Sequence, residues 1–149
     1  MIVETTAPPF VARMRGPEAP VPTPEDTHPM RYLLLIYGDE SRGGAMGEGD
    51  AATAMHAWFD YTDWLVAQGW MTAGDALHPS TEATTVRITD GERVVTDGPF
   101  AETKEQLGGY YEIDVPNLDD AIEAAARCPG AQMGTMEIRP VADTPPREG

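Results

Sequence analysis

Residues 31–37, RYLLLIY, form a nearly unbroken apolar run with the length of a single β-strand. Successive side chains of a strand point to opposite faces, so Leu33 and Leu35 share one face while Leu34 and Ile36 share the other. A strand that is apolar on both faces belongs in a sheet that is covered on both sides. Any fold that this chain adopts must therefore bury both faces of the strand.

The next patterned segment, residues 51–68, has the apolar spacing of an amphipathic helix. Gly69 follows it, and glycine is a typical residue at a helix end because it readily adopts a left-handed conformation. One apolar stripe is expected to face the core, and it consists of Met55, Trp58, Phe59, Thr62, Leu65 and Val66. A short strand at residues 70–77 then leads into an extended turn at residues 78–80.

A hairpin and a further strand follow this turn. Residues 84–98 alternate apolar and polar side chains around Asp90 and Gly91, a pair typical of a two-residue β-hairpin turn. Residues 108–115 then form a strand with two different faces. Tyr111, Ile113 and Val115 lie on one face, and Tyr110, Glu112 and Asp114 lie on the other.

The last two elements complete a recognisable order. Asn117 is placed to cap a helix that Pro129 and Gly130 end, and a final strand covers residues 134–141. The order β-α-β, hairpin, β-α-β predicts an α+β fold of the ferredoxin-like, split βαβ type with an inserted β-hairpin. Two helices cover only one face of such a sheet, so the other apolar face needs a partner. We therefore expect a homodimer whose two sheets face each other.

Length and composition indicate one folded domain with flexible ends. The chain has 149 residues, which is enough for a single core. Residues 1–29 contain half of the 14 prolines and show no hydrophobic period. We expect a flexible extension over residues 1–29, a folded domain over residues 30–142 and a flexible tail over residues 143–149.

The charge of the chain excludes several classes of partner. The formal net charge is -15, so the surface repels phosphate backbones and anionic lipids, and we expect neither nucleic-acid nor membrane binding. The sequence contains no apolar run of membrane-spanning length and no apolar signal-peptide core. Cys128 is the single cysteine, which excludes an intrachain disulfide and a thiolate metal cluster and is compatible with a cytoplasmic location.

Three stretches of the chain resemble the YCII-related, or DGPF-domain, proteins. They are MRYLLLIYGDE at residues 30–40, TTVRITDGERVVTDGPFAETKEQLGGYYEIDV at residues 84–115, and LDDAIEAAARCPGA followed by GTMEIRPV. The resemblance implies a dimeric α+β barrel. Relatives in the wider superfamily isomerise, dehalogenate or oxidise small cyclic compounds, usually without a cofactor. Some DGPF proteins are encoded beside extracytoplasmic-function sigma factors, which implies an accessory role in regulation.

The same resemblance implies particular acid–base residues. Catalytic members of the broader group use a His–Asp pair whose histidine lies in the first helix, where His56 is the nearest candidate. The acid of that pair corresponds to a position near Asp75. The family signature, DGPFAETKEQLGGYY at residues 97–111, itself contributes Asp97.

The residues around the signature allow both functional and structural roles. Asp97, between a strand and Gly98, is either a proton-transfer group at a cleft or the cap of its own turn. Phe100 is expected to line that cleft. Lys104 either attracts an anionic or enolic substrate or pairs with a neighbouring glutamate at the surface. Tyr110 either binds a ligand or packs in the interior.

The histidines have equally open roles. His56, four residues before Asp60, is either a base next to a carboxylate or part of a solvated helix face. His78 precedes Pro79 near the expected barrel mouth and is the second candidate base. The scattered histidines and the single cysteine do not have the spacing of a metal site, and no phosphate-binding glycine motif is present, so we expect neither metal nor cofactor.

Two functions are compatible with these features. The first is a cofactor-free homodimeric enzyme that transfers protons on a small organic molecule, with Asp97 and either His56 or His78 as acid and base, and with Asp75, Phe100, Lys104 and Tyr110 binding the substrate. The second is a non-catalytic, ligand-sensing or regulatory accessory protein that works with a sigma factor.

Overall fold

The computed structural model describes residues 30–45, 48–145 and 147. The predicted extension over residues 1–29 lies outside them. The strands are β1 (Met30–Gly38), β2 (Met71–Ala76), β3 (Thr84–Thr89), β4 (Glu92–Asp97), β5 (Gln106–Val115) and β6 (Thr135–Pro140). The α-helices are α1 (Glu48–Ala67), α2 (Leu118–Arg127) and the short α3 (Gly130–Met133), and 3-10 helices occupy Glu40–Ala45 and Ser80–Glu82. No helix within these residues is both long enough and apolar enough to span a membrane.

The predicted ferredoxin-like fold is confirmed. Four strands form one sheet in the order β2-β5-β1-β6, and every neighbouring pair is antiparallel. Strands β3 and β4 form a separate two-stranded sheet, the inserted hairpin. Asp90 and Gly91 both have positive φ, as a tight hairpin turn requires.

One face of the main sheet packs against α1 and α2. Leu34, Ile113 and Val115 of the central strands are buried there with Leu65 of α1 and Cys128 after α2. The hydroxyl groups that α1 places in this core are hydrogen-bonded. The Tyr61 hydroxyl donates to the Ala124 carbonyl at 2.6 Å, and the hydroxyls of Thr62 and Tyr111 lie 2.7 Å apart. As predicted, the Asn117 side chain caps α2 by accepting from the backbone N–H of Asp120.

No helix of the described residues lies on the opposite face of the main sheet. Leu33, Leu35 and Tyr37 of β1 point to this side and are half-buried within the single chain. Both long helices pack on the other side, against Leu34 and Ile113. We call the helix-free side the open face.

The predicted buried stripe of α1 is wrong in part. Leu65 is buried and Trp58 packs against the core, but Met55, Phe59 and Val66 are 53%, 58% and 61% exposed. Tyr61, which the prediction omitted, is buried. In a helix with 3.6 residues per turn, Met55, Phe59 and Val66 lie within about 40° of one another, so they form a second apolar stripe beside the buried one. The prediction failed because it merged two stripes into one.

The buried Tyr61 and Cys128 predict a loss of stability at high pH. Burial raises the pKa of the Cys128 thiol from 9.0 to about 11, and burial likewise raises the pKa of the Tyr61 phenol. The unfolded chain releases these protons at lower pH than the folded chain, so stability decreases once the pH exceeds the unfolded values.

We therefore expect the urea unfolding midpoint to fall between pH 9 and pH 11, the two values of the Cys128 thiol. The variant Cys128→Ala should show a shallower fall, because it removes one of the groups in this cluster whose pKa burial raises, while Tyr61 and Tyr111 remain. If the urea unfolding midpoint fell equally steeply with pH in the two proteins, the burial argument would be contradicted.

Candidate functional site

The loops carrying most predicted site residues meet at one end of the main sheet. Strands β1 and β2 end there, while β5 and β6 begin there, as the pairs Gly38–Gln106 and Tyr37–Thr135 show. The signature loop enters this end directly before β5. The sheet thus brings sequence-distant loops together at this edge.

Asp75 and Tyr110 form a hydrogen-bonded pair on the open face. Tyr111 points into the core towards Thr62, so the neighbouring Tyr110 points to the other side of the sheet. The Tyr110 hydroxyl donates to Asp75 Oδ2 at 2.9 Å. This hydrogen bond, followed by the charge of Asp75, raises the pKa of Tyr110 above its ordinary value of 10.0. The phenol therefore stays protonated at neutral pH and holds the carboxylate in place.

Gly109 allows the strand carrying Asp75 to approach β5 closely. A Cβ atom at this position would lie 2.9 Å from the backbone oxygen of Asp75, closer than side chains normally come. The second glycine of the Gly108–Gly109 pair therefore has a steric reason to be there. It brings the end of β2 against β5 and so sets the distance between Asp75 and Tyr110.

Gly98 fixes the start of the signature loop. Its φ is +100°, which favours glycine, its N–H donates to the Ala83 carbonyl at 2.6 Å, and its carbonyl accepts from the Thr85 hydroxyl at 2.7 Å. Asp97 itself is exposed, and within the described chain its carboxylate makes no hydrogen bond. The backbone of Gly98, rather than an Asp97 cap, holds this turn. Phe100 is 80% exposed.

Lys104 lies in the signature loop without an ion pair among the described residues. The expected partner Glu105 instead accepts a hydrogen bond from the Thr135 hydroxyl at 2.7 Å. Hydrogen bonds from the side chain and backbone of Ser41 lower the pKa of Asp39, and the charges of Arg42 and Lys104 contribute further. Lys104 is thus an exposed cation whose field reaches the loop after β1.

Glu40 joins three of these loops, a role that sequence reasoning missed. Its carboxylate accepts from both the backbone N–H and the hydroxyl of Ser80, each at 2.7 Å. Its own N–H donates to Gln106 Oε1 at 3.0 Å, and the Gln106 amide donates to the Thr103 carbonyl at 2.5 Å. No local sequence pattern predicts this contact, because Glu40 and Ser80 are far apart along the chain.

The two candidate histidines lie in different places. His78 follows β2 by two residues; its side chain is 87% exposed, and Nδ1 lies 3.4 Å from Glu82 Oε2. His56 is exposed on α1, which packs on the helix side of the sheet. The sheet therefore separates His56 from the Asp75–Tyr110 pair, and His78 is the histidine at the same end as that pair.

The described segments contain no group of three or more His, Cys, Asp or Glu side chains that could hold a metal ion. Three polar side chains of β1, β2 and β5 on the open face pair with one another. Arg31 Nη1 lies 3.1 Å from Glu112 Oε1, and the Thr72 hydroxyl donates to Glu112 Oε2 at 2.8 Å.

The Asp75–Tyr110 contact predicts how Tyr110 titrates. The chain has 5 tyrosines, so subtracting the ultraviolet titration of Tyr110→Phe from that of the intact protein isolates Tyr110. At pH 10, near the ordinary tyrosine pKa, we expect less than half of Tyr110 to be ionised. Asp75→Asn should increase this fraction because it removes the charge that opposes ionisation, whereas the control Asp63→Asn should leave it unchanged. An unchanged fraction in Asp75→Asn would contradict the pairing.

Known proteins resemble this chain over the region that forms the fold and the site. The model of the YCII-related domain family matches residues 30–145. An uncharacterised protein of Rhizobium meliloti (strain 1021) is 39% identical over 121 residues, which span 80% of this chain and 98% of the relative. The residues matched by the family model contain every described strand and helix. The chain belongs to the YCII-related domain family.

Proposed function

We propose that the protein is a cofactor-free homodimeric enzyme that transfers a proton on a small organic molecule bound at the loop end of the open face. The observation that carries this proposal is the Asp75–Tyr110 hydrogen bond at 2.9 Å. A carboxylate held by a phenol that is protonated at neutral pH has one oxygen occupied and the other available to accept a proton. Asp75 is then the base, and Tyr110 is the residue that positions it.

Other residues at this end supply binding groups. Phe100, largely exposed in the single chain, offers an apolar surface for a ring or an alkyl group. Lys104 offers a positive charge for a carboxylate or for an enolate formed when a proton is removed. Asp97 and His78 remain the candidates for the second acid–base group, because both belong to segments that enter this end of the sheet.

A second copy is part of the proposal, because the open face needs cover. Leu33, Leu35 and Tyr37 form its apolar centre, and paired polar groups such as Arg31 and Glu112 surround them. A facing copy would cover the apolar centre and enclose the site. The single reduced cysteine is compatible with a cytoplasmic location.

The exposure of the site favours one alternative. Asp75 is exposed and Phe100 is 80% exposed in the single chain, whereas bases that act in catalysis are generally sheltered from water. A protein that binds a small molecule without converting it fits such a site. In that case the role implied by the family resemblance is regulatory, as an accessory to an extracytoplasmic-function sigma factor.

A ligand screen separates the two functions. Small cyclic ketones and enols are tested for a rise in melting temperature on the intact protein and on Asp75→Asn, Asp97→Asn and the surface control Asp143→Asn, whose side chain is exposed. We expect a ligand that stabilises the intact protein and the control, with a smaller rise for Asp75→Asn. In heavy water, the intact protein should catalyse deuterium exchange at the acidic carbon of that ligand, and Asp75→Asn should not.

Each remaining outcome decides against part of the proposal. Binding without exchange would support the non-catalytic alternative. A ligand that stabilises all four proteins equally and exchanges equally with each would show that Asp75 and Asp97 do not form the site.

A further inference from the structure

Among the described residues, the inserted hairpin forms a sheet of its own. Strands β3 and β4 pair only with each other there, and nearly all their residues are exposed. The hydrogen bond from the Gly98 N–H to the Ala83 carbonyl joins the two arms of the hairpin at its base. An isolated two-stranded hairpin is at best marginally stable in water, so this hairpin needs a surface to pack against.

One side of the hairpin is apolar and ends in a positive charge. The register pairs Val86 with Val95 and Ile88 with Arg93, so these four side chains share one side, which we call the hairpin face. Val86, Ile88 and Val95 are 59%, 65% and 56% exposed. Arg93 makes no ion pair with any described residue.

Helix α1 carries the complementary surface. Met55, Phe59 and Val66 form the exposed apolar stripe already described, which we call the helix stripe. Asp63 lies along one edge of it, Asp60 lies farther round the helix on the same side, and neither pairs with a cation in the described chain. The hairpin face and the helix stripe are thus both apolar, both uncovered and of opposite charge at the edge.

We propose that the hairpin face of one copy packs on the helix stripe of a second copy, with Arg93 beside Asp63 and Asp60. The lengths match: a strand of six residues extends about 20 Å, and the eleven-residue step from Met55 to Val66 extends about 16 Å along the helix. A two-fold arrangement repeats the contact, so both copies cover both surfaces. The second copy is favoured over an unrelated partner because this chain itself offers the complementary shape and charge.

This contact is independent of the proposed chemistry and of the open face. It uses the hairpin and the outer side of α1, whereas the Asp75–Tyr110 pair and Leu35 lie on the other side of the main sheet. Either proposal can therefore fail without the other.

Cysteine cross-linking tests the contact directly. The native Cys128 is 1% exposed and stays in every protein as an inert thiol. A tagged chain with Val95→Cys is mixed with an untagged chain carrying Phe59→Cys and oxidised mildly, so that the mixed disulfide dimer is identified by its mass. The matched control replaces Val95→Cys by Val94→Cys, because Val94 is also exposed but pairs with Arg87 on the opposite side of the hairpin. We expect the mixed dimer to form several-fold faster with Val95→Cys than with Val94→Cys.

A charge exchange gives a second readout by sedimentation velocity. Arg93→Glu alone and Asp63→Arg alone should each shift the protein towards smaller species, and an equimolar mixture should recover part of the larger species. The melting temperature of the body should change little, since neither side chain contacts the core. Equal cross-linking by both hairpin positions, no mixed dimer, or an unchanged sedimentation profile in both charge variants would overturn the proposal.

Discussion

The pairing of β1 with β5 at the centre of the sheet determines which side chains form the core and which form the open face. Leu34 lies opposite Tyr111, and both are buried under the helices. The same register places Leu35 opposite Tyr110 on the other side. Because side chains alternate along a strand, a shift of one residue would exchange the two sets. The position of Tyr110 next to Asp75 is therefore a consequence of how Tyr111 packs in the core.

The loop end of the sheet is held by side-chain contacts rather than by regular structure. Glu40 ties the loop after β1 to Ser80 and to Gln106 at the start of β5. Gly98 anchors the signature loop to the base of the hairpin through Ala83. These contacts give long connections a defined position, and that position is what a binding site on loops requires.

The sequence predicted those features that depend on neighbouring residues. The hairpin turn at Asp90 and Gly91 and the cap at Asn117 follow from local backbone rules, and both are present. The two faces of β5 follow from simple alternation, and Tyr111 and Ile113 are buried as expected. The order of elements then predicted the ferredoxin-like sheet, because few topologies connect that order with short, uncrossed links.

The features that sequence reasoning missed depend on contacts between distant segments. The helix stripe was assigned to the core because composition alone does not distinguish an apolar side chain under a sheet from one on the outer side of the same helix. The Glu40–Ser80 contact joins loops that only the sheet brings together. For the same reason the sequence placed His78 second to His56 as a candidate base, although the sheet lies between His56 and the Asp75–Tyr110 pair.

The central claim is that a second copy covers the open face and thereby completes the site. Light scattering at micromolar concentration measures this directly by comparing the intact protein with Leu35→Asp, which places a charge at the centre of that face. The control Leu118→Asp places the same charge on the exposed start of α2. The account predicts a mass of at least two 16.1 kDa chains for the intact protein and for the control, and no more than half of that mass for Leu35→Asp. A single-chain mass for the intact protein, or an unchanged mass for Leu35→Asp, would contradict it.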